Sequence, residues 1–301
     1  MTQPRNTEPV PLGGPGSPPY SKGLMARALM AVGVRAVRAY ELARLVDRDI
    51  DARGSDGIEL ERLGELAVDV LGEVEGIEAM RRLRSYRELR ELDVPIILLV
   101  GGATGTGKST VATEAAYRLG ITRVTSTDFV RQTMRAFFSR DFMPSIHYSS
   151  FEAGDSIEEP EADPAVLGFQ EQTRNVLVGV RAALDRALEE GWSMVLEGVH
   201  LVPGLIPDEP IHGALVAQCV LAIEDEETHA SHFTIRDATS GGVRPVDKYM
   251  DRFDEIRRIQ RHIVARARRS GVPVIENMNM EHAISSVMEL VLSGAERLQR
   301  I

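Results

Sequence analysis

Residues 96–110 read IILLVGGATGTGKST, and this stretch predicts the fold of the chain. The first five residues are aliphatic without interruption, as in a central parallel strand that is buried on both faces. The glycine-rich part has the spacing G-x-x-x-x-G-K-[ST] from Gly102 to Ser109, which is typical of a phosphate-binding loop. A helix is predicted over residues 111–119. Together these elements predict an α/β P-loop fold, in which helices flank a parallel sheet.

The glycine-rich turn is suited to binding phosphate through its backbone. Its N–H groups can converge on phosphate oxygens without interference from Cβ atoms, and the following helix N-terminus adds a partial positive charge. Lys108 is predicted to reach the β- and γ-phosphates of ATP, and the Ser109 hydroxyl to help hold Mg²⁺. A glycine turn that binds nothing is the alternative, but the strand, the full spacing and the helix coincide here. The predicted nucleotide-binding residues are Gly102, Ala103, Thr104, Gly105, Thr106, Gly107, Lys108, Ser109 and Thr110.

Composition limits the class of protein. A hydrophobic content of 43% and a charged content of 27% are typical of soluble globular chains. The single cysteine, Cys219, cannot form an internal disulfide, which suits a reducing compartment and predicts a cytoplasmic protein. No apolar stretch approaches the roughly 18 residues of a membrane span. The net charge of -10 argues against a nucleic-acid binder, so an anionic substrate must be bound by local arginines.

The chain is predicted to have three parts. Residues 1–19 are rich in proline and glycine and are predicted to be a disordered tail. Apolar residues at helical spacing predict a small all-α module over residues 20–92. Residues 93–301 are predicted to be a kinase domain around a five-stranded parallel sheet. The predicted strands are residues 96–100, 121–126, 194–196, 214–223 and 272–275.

A carboxylate and two arginines follow the second predicted strand, in the sequence TSTDFVR of residues 125–131. We expect this strand to lie next to the phosphate-loop strand, which would place Asp128 where parallel sheets bind ligands. A carboxylate there can orient an acceptor hydroxyl or take its proton, although a helix N-cap is the alternative role. Arg131 and Arg135 are one helical turn apart and are candidates to bind a carboxylate or phosphate, with a surface salt bridge as the alternative for Arg131.

Residues 142–163 have little regular pattern and contain MPSIHYSSFEAGD. A loop of this length inside a compact domain is usually functional or disordered. His147, Ser149 and Ser150 are therefore candidates for hydrogen bonds to a small polar substrate. An exposed loop without a function is the alternative.

The third predicted strand ends in VLEGVHLVPG, residues 195–204. Glu197 occupies the position of the acidic residue that coordinates Mg²⁺, directly or through water, in phosphate-loop enzymes. Because an unpaired buried carboxylate is costly, an internal salt bridge is the alternative. His200 follows, and a substrate contact and a packed histidine both remain open for it.

The region after residue 225 has the pattern of a lid. His229, His232 and Arg236 have helical spacing, and the glycines at 241–242 suggest a hinge before Arg244. A polar helical pair around such a hinge resembles the mobile lid of small-molecule kinases, so Arg236 and Arg244 are predicted to neutralise charge on the transferring phosphoryl group. Two histidines three residues apart can suggest zinc, but no second cluster supplies further ligands.

Several segments together resemble one family, the 2-phosphoglycerate kinases of archaea and their bacterial homologues. The likeness covers about residues 94–301, and residues 19–41 resemble the latter part of the nucleotide-binding cone module that precedes the kinase in that family. The resemblance implies transfer of phosphate from ATP to the 3-hydroxyl of 2-phosphoglycerate, giving 2,3-bisphosphoglycerate and ADP. The segments are GGATGTGKST, TSTDFVRQTMR, MPSIHYSSFEAG, VLEGVHLVPG, HASHFTIRD and KYMDRFDEIRRIQ.

Three alternatives stay open from the sequence. The chain can be a kinase of another hydroxylated acceptor, such as a different phosphorylated acid or a nucleotide sugar. It can be a regulatory protein that binds ATP without transfer chemistry, or a helical interaction protein whose N-terminal module recruits a partner. The predicted partner is a small phosphorylated acid, with no nucleic acid and no membrane, and the sequence does not predict the oligomeric state.

Overall fold

The structure is a computed structural model that describes residues 12, 19–91, 94–158, 162–206, 213–240 and 246–298. Most of the predicted tail, the predicted hinge glycines and Arg244 lie outside these residues, as does the side chain of Arg236. The described residues form two compact units. One comprises those of Met1–Val94, Ala115–Thr122 and Ser285–Ile301, and the other those of Pro95–Glu114 and Arg123–Ile284. The predicted domain boundary at residue 93 stays a prediction.

Helices make up the first unit, so the predicted all-α region is confirmed. Its core is aliphatic: Met25, Leu29, Leu42 and Leu63 are fully buried. Within this unit Tyr86 donates a hydrogen bond to the carbonyl of Arg118 at 3.0 Å. The four N-terminal helices are α1 Lys22–Ala31, α2 Ala36–Arg53, α3 Leu60–Leu71 and α4 Glu73–Glu91.

A parallel sheet forms the centre of the second unit, as predicted. Its order is β2-β3-β1-β4-β5. All seven residues of β1 are buried, which agrees with its unbroken apolar sequence. The strands are β1 Ile96–Gly102, β2 Val124–Ser126, β3 Met194–Gly198, β4 Leu215–Ala222 and β5 Val274–Glu276.

The expected pairing of β2 with β1 is wrong, because β3 lies between them. β3 is buried at each of its five residues and therefore suits an interior position. β2 has only three residues, all at least partly exposed, and suits the edge of the sheet. Consequently Glu197, at the end of β3, is in register with Val100 on one side and Ser126 on the other.

Several of the remaining helices contact strands of the sheet. The long helix α7 buries Val176, Val180 and Leu184 against residues of β1 and β3. Two short 3₁₀ helices, Pro144–His147 and Ala153–Ser156, interrupt the stretch that was predicted to be irregular. The helices are α5 Lys108–Leu119, α6 Thr127–Phe137, α7 Pro164–Glu189, α8 Glu226–Ser240, α9 Val246–Met250, α10 Phe253–Arg269 and α11 Met280–Leu298. Across the described part of the chain, none of the helices combines the length and the apolar character that crossing a membrane requires.

Candidate active site

The phosphate loop connects β1 to α5, and α5 begins at Lys108, three residues before the predicted start. Gly105 has a φ of +87°, and a Cβ there would lie 2.5 Å from the Phe233 ring, so only glycine fits. Thr106 is fully buried and donates to the carbonyl of Ala103 at 2.9 Å. The Nζ of Lys108 donates to the same carbonyl at 3.2 Å. The loop is thus held in shape by its own polar groups as well as by its surroundings.

The two residues at the start of α5 have the chemistry expected of a phosphate site. Lys108 is partly exposed and Ser109 is exposed, so both side chains are accessible to a ligand. The first N–H groups of a helix have no partner within the helix, and they favour an anion at this end. The start of α5 can therefore receive the phosphates that the sequence predicts.

Glu197 is the next-to-last residue of β3 and is largely buried, at 8% exposure. Its carboxylate makes no hydrogen bond or ion pair to any residue that the structure describes, so the alternative of an internal salt bridge is not seen. A buried carboxylate without a partner is unfavourable unless a ligand or water completes it. Mg²⁺ takes oxygen ligands and is usually held by one or two carboxylates together with substrate phosphates. Glu197 and the Ser109 hydroxyl fit that donor set.

Asp128 lies in the first turn of α6, but it is not the N-cap of this helix. That role belongs to Ser126, whose hydroxyl accepts from the backbone N–H of Phe129 at 3.0 Å. The Asp128 side chain is 68% exposed, and its contact is with the Nε of Arg131 at 3.4 Å. Its carboxylate is therefore available to a ligand, and the alternative of a capping role is removed.

The surroundings of Asp128 keep it ionised. Burial raises the pKa of Asp128, but the charges of Arg131 and Lys108 favour the ionised form, and the pKa lies below the usual value of 3.8. Because the Lys108 charge contributes to this shift, Asp128 lies close to the phosphate loop.

The end of β3 passes very close to the start of α6. Gly198 has a φ of +152°, and a Cβ there would lie 1.9 Å from the Thr127 hydroxyl. Only a glycine allows the two segments to approach in this way. The approach places Glu197, directly before this glycine, near the turn of helix that carries Asp128.

His200 is fully buried and both of its ring nitrogens have protein partners. Nε2 lies 2.8 Å from Oε1 of Gln172, and Nδ1 lies 2.8 Å from the Thr127 hydroxyl. Because the Gln172 amide nitrogen donates to the Ser145 and Tyr148 carbonyls, its oxygen faces the ring, so Nε2–H of His200 donates and Nδ1 accepts. Burial lowers the pKa of His200 to about 3, so the ring is neutral. The structure thus favours the packed histidine over the substrate contact.

Arg131 contacts both Asp128 and residues 143–155, a segment that we call the polar loop. Its side chain is only 8% exposed, and Nη1 donates to the carbonyls of Ile146 at 3.0 Å and Tyr148 at 2.8 Å. Nη2 has no protein acceptor in the described part of the chain. One nitrogen of the fork therefore remains for a ligand. Arg135 donates to the side chain of Gln132 at 3.1 Å.

The other predicted substrate residues occupy different parts of the polar loop. His147 donates through Nε2 to the Phe138 carbonyl at 3.0 Å, and Ser150 is buried. Ser149 accepts from the Nζ of Lys248 at 3.3 Å. The structure therefore brings Asp128, Arg131 and His200 together with this loop, whereas it gives no side-chain position for Arg236 or Arg244.

Two sets of residues near the site were not predicted. Gln172 of α7 hydrogen-bonds both to His200 and to the polar loop. No local sequence pattern distinguishes this glutamine from the other polar residues of a long helix. His229 and His232 of α8 bind carbonyls of the phosphate loop. Their spacing on one helix was the available signal, but it indicates a shared face and not what that face contacts.

No protein-family model matches the chain. A 2-phosphoglycerate kinase of Methanothermobacter thermautotrophicus is 39% identical over 274 residues, which are 90% of this chain and 89% of the relative. One of Thermococcus kodakarensis is 36% identical over 281 residues, 93% of this chain and 95% of the relative. The crystal structure of a gluconokinase from Sinorhizobium meliloti is similar to 69% of this chain and 95% of its own, with 15% identity and a TM-score of 0.38.

The family resemblance of the motifs is confirmed by these relatives. Identity above one third extends over nearly the whole length of both chains in each pair. It includes the region before the phosphate loop as well as the sheet and its loops. The chain belongs to the 2-phosphoglycerate kinase family.

Proposed function

We propose that this chain transfers the γ-phosphoryl group of ATP to the 3-hydroxyl of 2-phosphoglycerate, giving 2,3-bisphosphoglycerate and ADP. The names of its relatives support the substrate and the reaction. The observation that carries the proposal for this chain is the Asp128 carboxylate. It is not used as a helix cap, its side chain is 68% exposed, and it lies within the influence of Lys108 and Arg131. An ionised carboxylate beside a phosphate site is what an alcohol acceptor requires.

The donor side of the reaction uses backbone groups and one lysine. The N–H groups of residues 102–110 bind the phosphates, and Lys108 exchanges its bond to the Ala103 carbonyl for the β- and γ-phosphates. Glu197 and Ser109 would hold Mg²⁺, which when bound supplies positive charge against the phosphate oxygens. Together these groups offset the negative charge of the nucleotide phosphates. The chain as a whole does not, because its own net charge is -10.

The acceptor side uses side chains. The Asp128 carboxylate accepts a hydrogen bond from the 3-hydroxyl and so orients the hydroxyl oxygen for in-line attack on the γ-phosphorus. The same carboxylate receives the hydroxyl proton as the bond between oxygen and phosphorus forms. Arg131, through Nη2, and Arg135 bind the carboxylate or phosphate of 2-phosphoglycerate. His147, Ser149 and Ser150 line the same loop, with His200 behind it, and Arg236 and Arg244 neutralise charge on the transferring group. Positioning and electrostatics supply most of the acceleration in this reaction class.

An acceptor screen tests the function directly. The full chain is incubated with ATP, with and without Mg²⁺, and with 2-phosphoglycerate, 3-phosphoglycerate or glycerate, and the products are resolved by ³¹P NMR. We expect ADP and 2,3-bisphosphoglycerate to appear in equal amounts, with 2-phosphoglycerate as the preferred acceptor. Transfer to another acceptor in preference, or nucleotide binding without any transfer, would contradict the proposal.

A further inference from the structure

Two histidines of α8 bind successive carbonyl groups at the tip of the phosphate loop. Nε2 of His229 lies 2.8 Å from the carbonyl oxygen of Thr104. Nδ1 of His232 lies 3.0 Å from the carbonyl oxygen of Gly105. Because a carbonyl can only accept, each of these ring nitrogens carries the hydrogen. The hydrogen that faces the loop therefore lies on Nε2 of His229 and on Nδ1 of His232.

A buried arginine fixes the tautomer of His229 from the other side. Nη1 of Arg257 lies 3.2 Å from Nδ1 of His229, and an arginine nitrogen can only donate. Nδ1 therefore accepts, and the hydrogen stays on Nε2, where it faces Thr104. Arg257 is itself held by the carbonyls of Ile223 and Glu224, both at 2.6 Å. His229 thus has a fixed position and a fixed hydrogen.

Asn277 binds the next carbonyl of the loop. Its side-chain nitrogen donates to the carbonyl of Thr106 at 2.9 Å, and only 2% of the residue is exposed. Its backbone N–H donates to the carbonyl of Ala222 at 2.9 Å, which ties it to the end of β4. Three consecutive loop carbonyls, those of residues 104–106, are therefore each bound by a side chain from outside the loop.

This arrangement determines the direction of the loop N–H groups. In a planar trans peptide the carbonyl and the following N–H point in opposite directions. When side chains outside the loop bind the carbonyls of residues 104–106, the N–H groups of residues 105–107 are turned to the opposite side. That side is the concave face of the loop, where a phosphate binds.

We propose that His229, His232 and Asn277 are positioning residues that aim three consecutive N–H groups of the phosphate loop at the β-phosphate of the nucleotide. They do not touch the nucleotide and act through the loop carbonyls. The inference deepens the proposed function, and it rests on that function only in requiring that a nucleotide binds at this loop. Its tests therefore use ADP, whose binding needs no acceptor.

The first test measures nucleotide affinity by isothermal titration calorimetry on the full chain. His232→Ala and Asn277→Ala each leave one loop carbonyl without its donor and one peptide free to turn. We expect each to weaken ADP binding roughly tenfold, which corresponds to the loss of one well-directed hydrogen bond to a charged group. Binding of AMP, which lacks the β-phosphate, should not change. His282→Ala, which removes an exposed histidine of α11, is the matched control and should bind both nucleotides normally.

The second test uses the different reach of amide side chains. The amide nitrogen of asparagine can replace Nδ1 of a histidine, whereas that of glutamine, one carbon longer, can replace Nε2. We therefore expect His232→Asn to retain ADP affinity and His232→Gln to lose it, with the reverse order for His229→Gln and His229→Asn. A purely structural role for these residues would not produce opposite preferences at the two positions.

The outcomes separate this inference from the proposed function. Normal ADP affinity in both His232→Ala and Asn277→Ala, with intact folds by circular dichroism, overturns the inference and leaves the kinase proposal unaffected. Equal loss of ADP and AMP affinity also overturns it, because it indicates general damage to the site. If the expected ADP losses occur in a chain that does not phosphorylate 2-phosphoglycerate, the inference stands and the proposed acceptor is wrong.

Discussion

Side chains donate hydrogen bonds to backbone carbonyl groups of both the phosphate loop and the polar loop. The two loops differ in which groups support the backbone and which are proposed to bind a ligand. At the phosphate loop, side chains such as His232 and Asn277 hold the backbone through its carbonyls, while the groups that we propose to bind phosphate are backbone N–H groups. At the polar loop, Arg131 donates to two backbone carbonyls and also contacts Asp128, the residue that we propose to bind the substrate hydroxyl. On the donor side His232 and Asn277 thus support the loop without binding the ligand, and only Lys108 does both. On the acceptor side support and binding are combined in Arg131. Substitutions should therefore have separable effects on the first side and coupled effects on the second.

The largest effect is expected from Lys108→Ala on the donor side. The lysine charge is lost where the phosphates are held, while the loop keeps its other contacts. We expect turnover to fall by about 10³-fold, the upper range for loss of one group that stabilises developing charge. Steady-state kinetics with 2-phosphoglycerate measure the loss, and the melting temperature should stay near that of the parent chain. A near-normal rate in a folded variant would contradict the central role of this lysine.

On the acceptor side, Asp128→Asn removes the proposed proton acceptor but keeps its shape. We expect kcat to fall by about 10²-fold or more, the contribution typical of a positioned acid–base group, with unchanged ADP affinity. Because the pKa of Asp128 is lowered, the parent chain should lose activity through protonation of this group only at a more acidic pH than an ordinary aspartate would require.

The helix cap beside it provides a control for this variant. Ser126→Ala removes the capping hydroxyl and should cost about 1 kcal/mol of stability, with little effect on kcat. If the two variants lose activity equally, the contribution of Asp128 is to the helix and not to the reaction.

The two sides also differ in how far the sequence predicted them. All the backbone groups of the proposed phosphate site lie within residues 102–110, and strand, turn and helix follow one another along the chain, so a local pattern predicts them. Glu197 and Asp128 were predicted from their positions at strand ends, a property that parallel sheets impose. The helical N-terminal region was likewise predicted from a local pattern, the helical spacing of its apolar residues.

What could not be predicted depends on contacts between distant segments. The order of the strands places β3 beside β1, because the fully buried strand takes the interior and the short exposed one takes the edge. His229 binds a carbonyl 125 residues earlier in the chain, and Asn277 one 171 residues earlier. A spacing pattern within one helix gives no information about such partners. Arg131 was predicted as a ligand for the substrate, but its support of the polar loop depends on the path of that loop.

Arg131→Met tests the coupling of the two tasks on the acceptor side. The loss of charge-assisted hydrogen bonds to the polar loop and to the substrate should lower kcat/KM for the acceptor by roughly 30- to 100-fold. ADP affinity should not change. Because the Arg131 charge lowers the pKa of Asp128, its removal should also move the acid limb of the pH–rate profile to higher pH.

Arg135 provides the matched comparison on the same helix. Its guanidinium contacts Gln132 and no carbonyl of the polar loop, so Arg135→Met removes a candidate substrate ligand without removing a support. We expect a smaller loss in kcat/KM and no shift in the acid limb. Equal losses for the two arginines, without a shift, would show that Arg131 has no supporting role that matters for the reaction.

The smallest effect concerns stability, and it compares two buried neutral histidines, one on each side of the site. Burial lowers the pKa of His200 to about 3 and that of His229 to about 4. Both values lie below the ordinary 6.5, so the unfolded chain binds more protons than the folded chain, and stability falls as the pH decreases from 6.5 towards these values. From pH 7 to pH 5, His200 alone should lower the free energy of unfolding by about 2 kcal/mol.

A glutamine at position 200 does not bind a proton in this pH range. His200→Gln should therefore remove the part of the decrease in unfolding free energy that His200 causes on acidification, whatever the stability of the variant at neutral pH. Urea unfolding at pH 7 and pH 5 measures the difference, and His282→Ala, at an exposed histidine, should leave it as in the parent chain. His229→Gln should remove a similar amount, because its pKa is lowered by the same cause. If His200→Gln loses as much stability as the parent between these pH values, His200 is not held neutral. The tautomer that directs its Nε2 hydrogen to Gln172 would then no longer follow from the structure, and Thr127, beside Asp128, would lose the acceptor that fixes its hydroxyl.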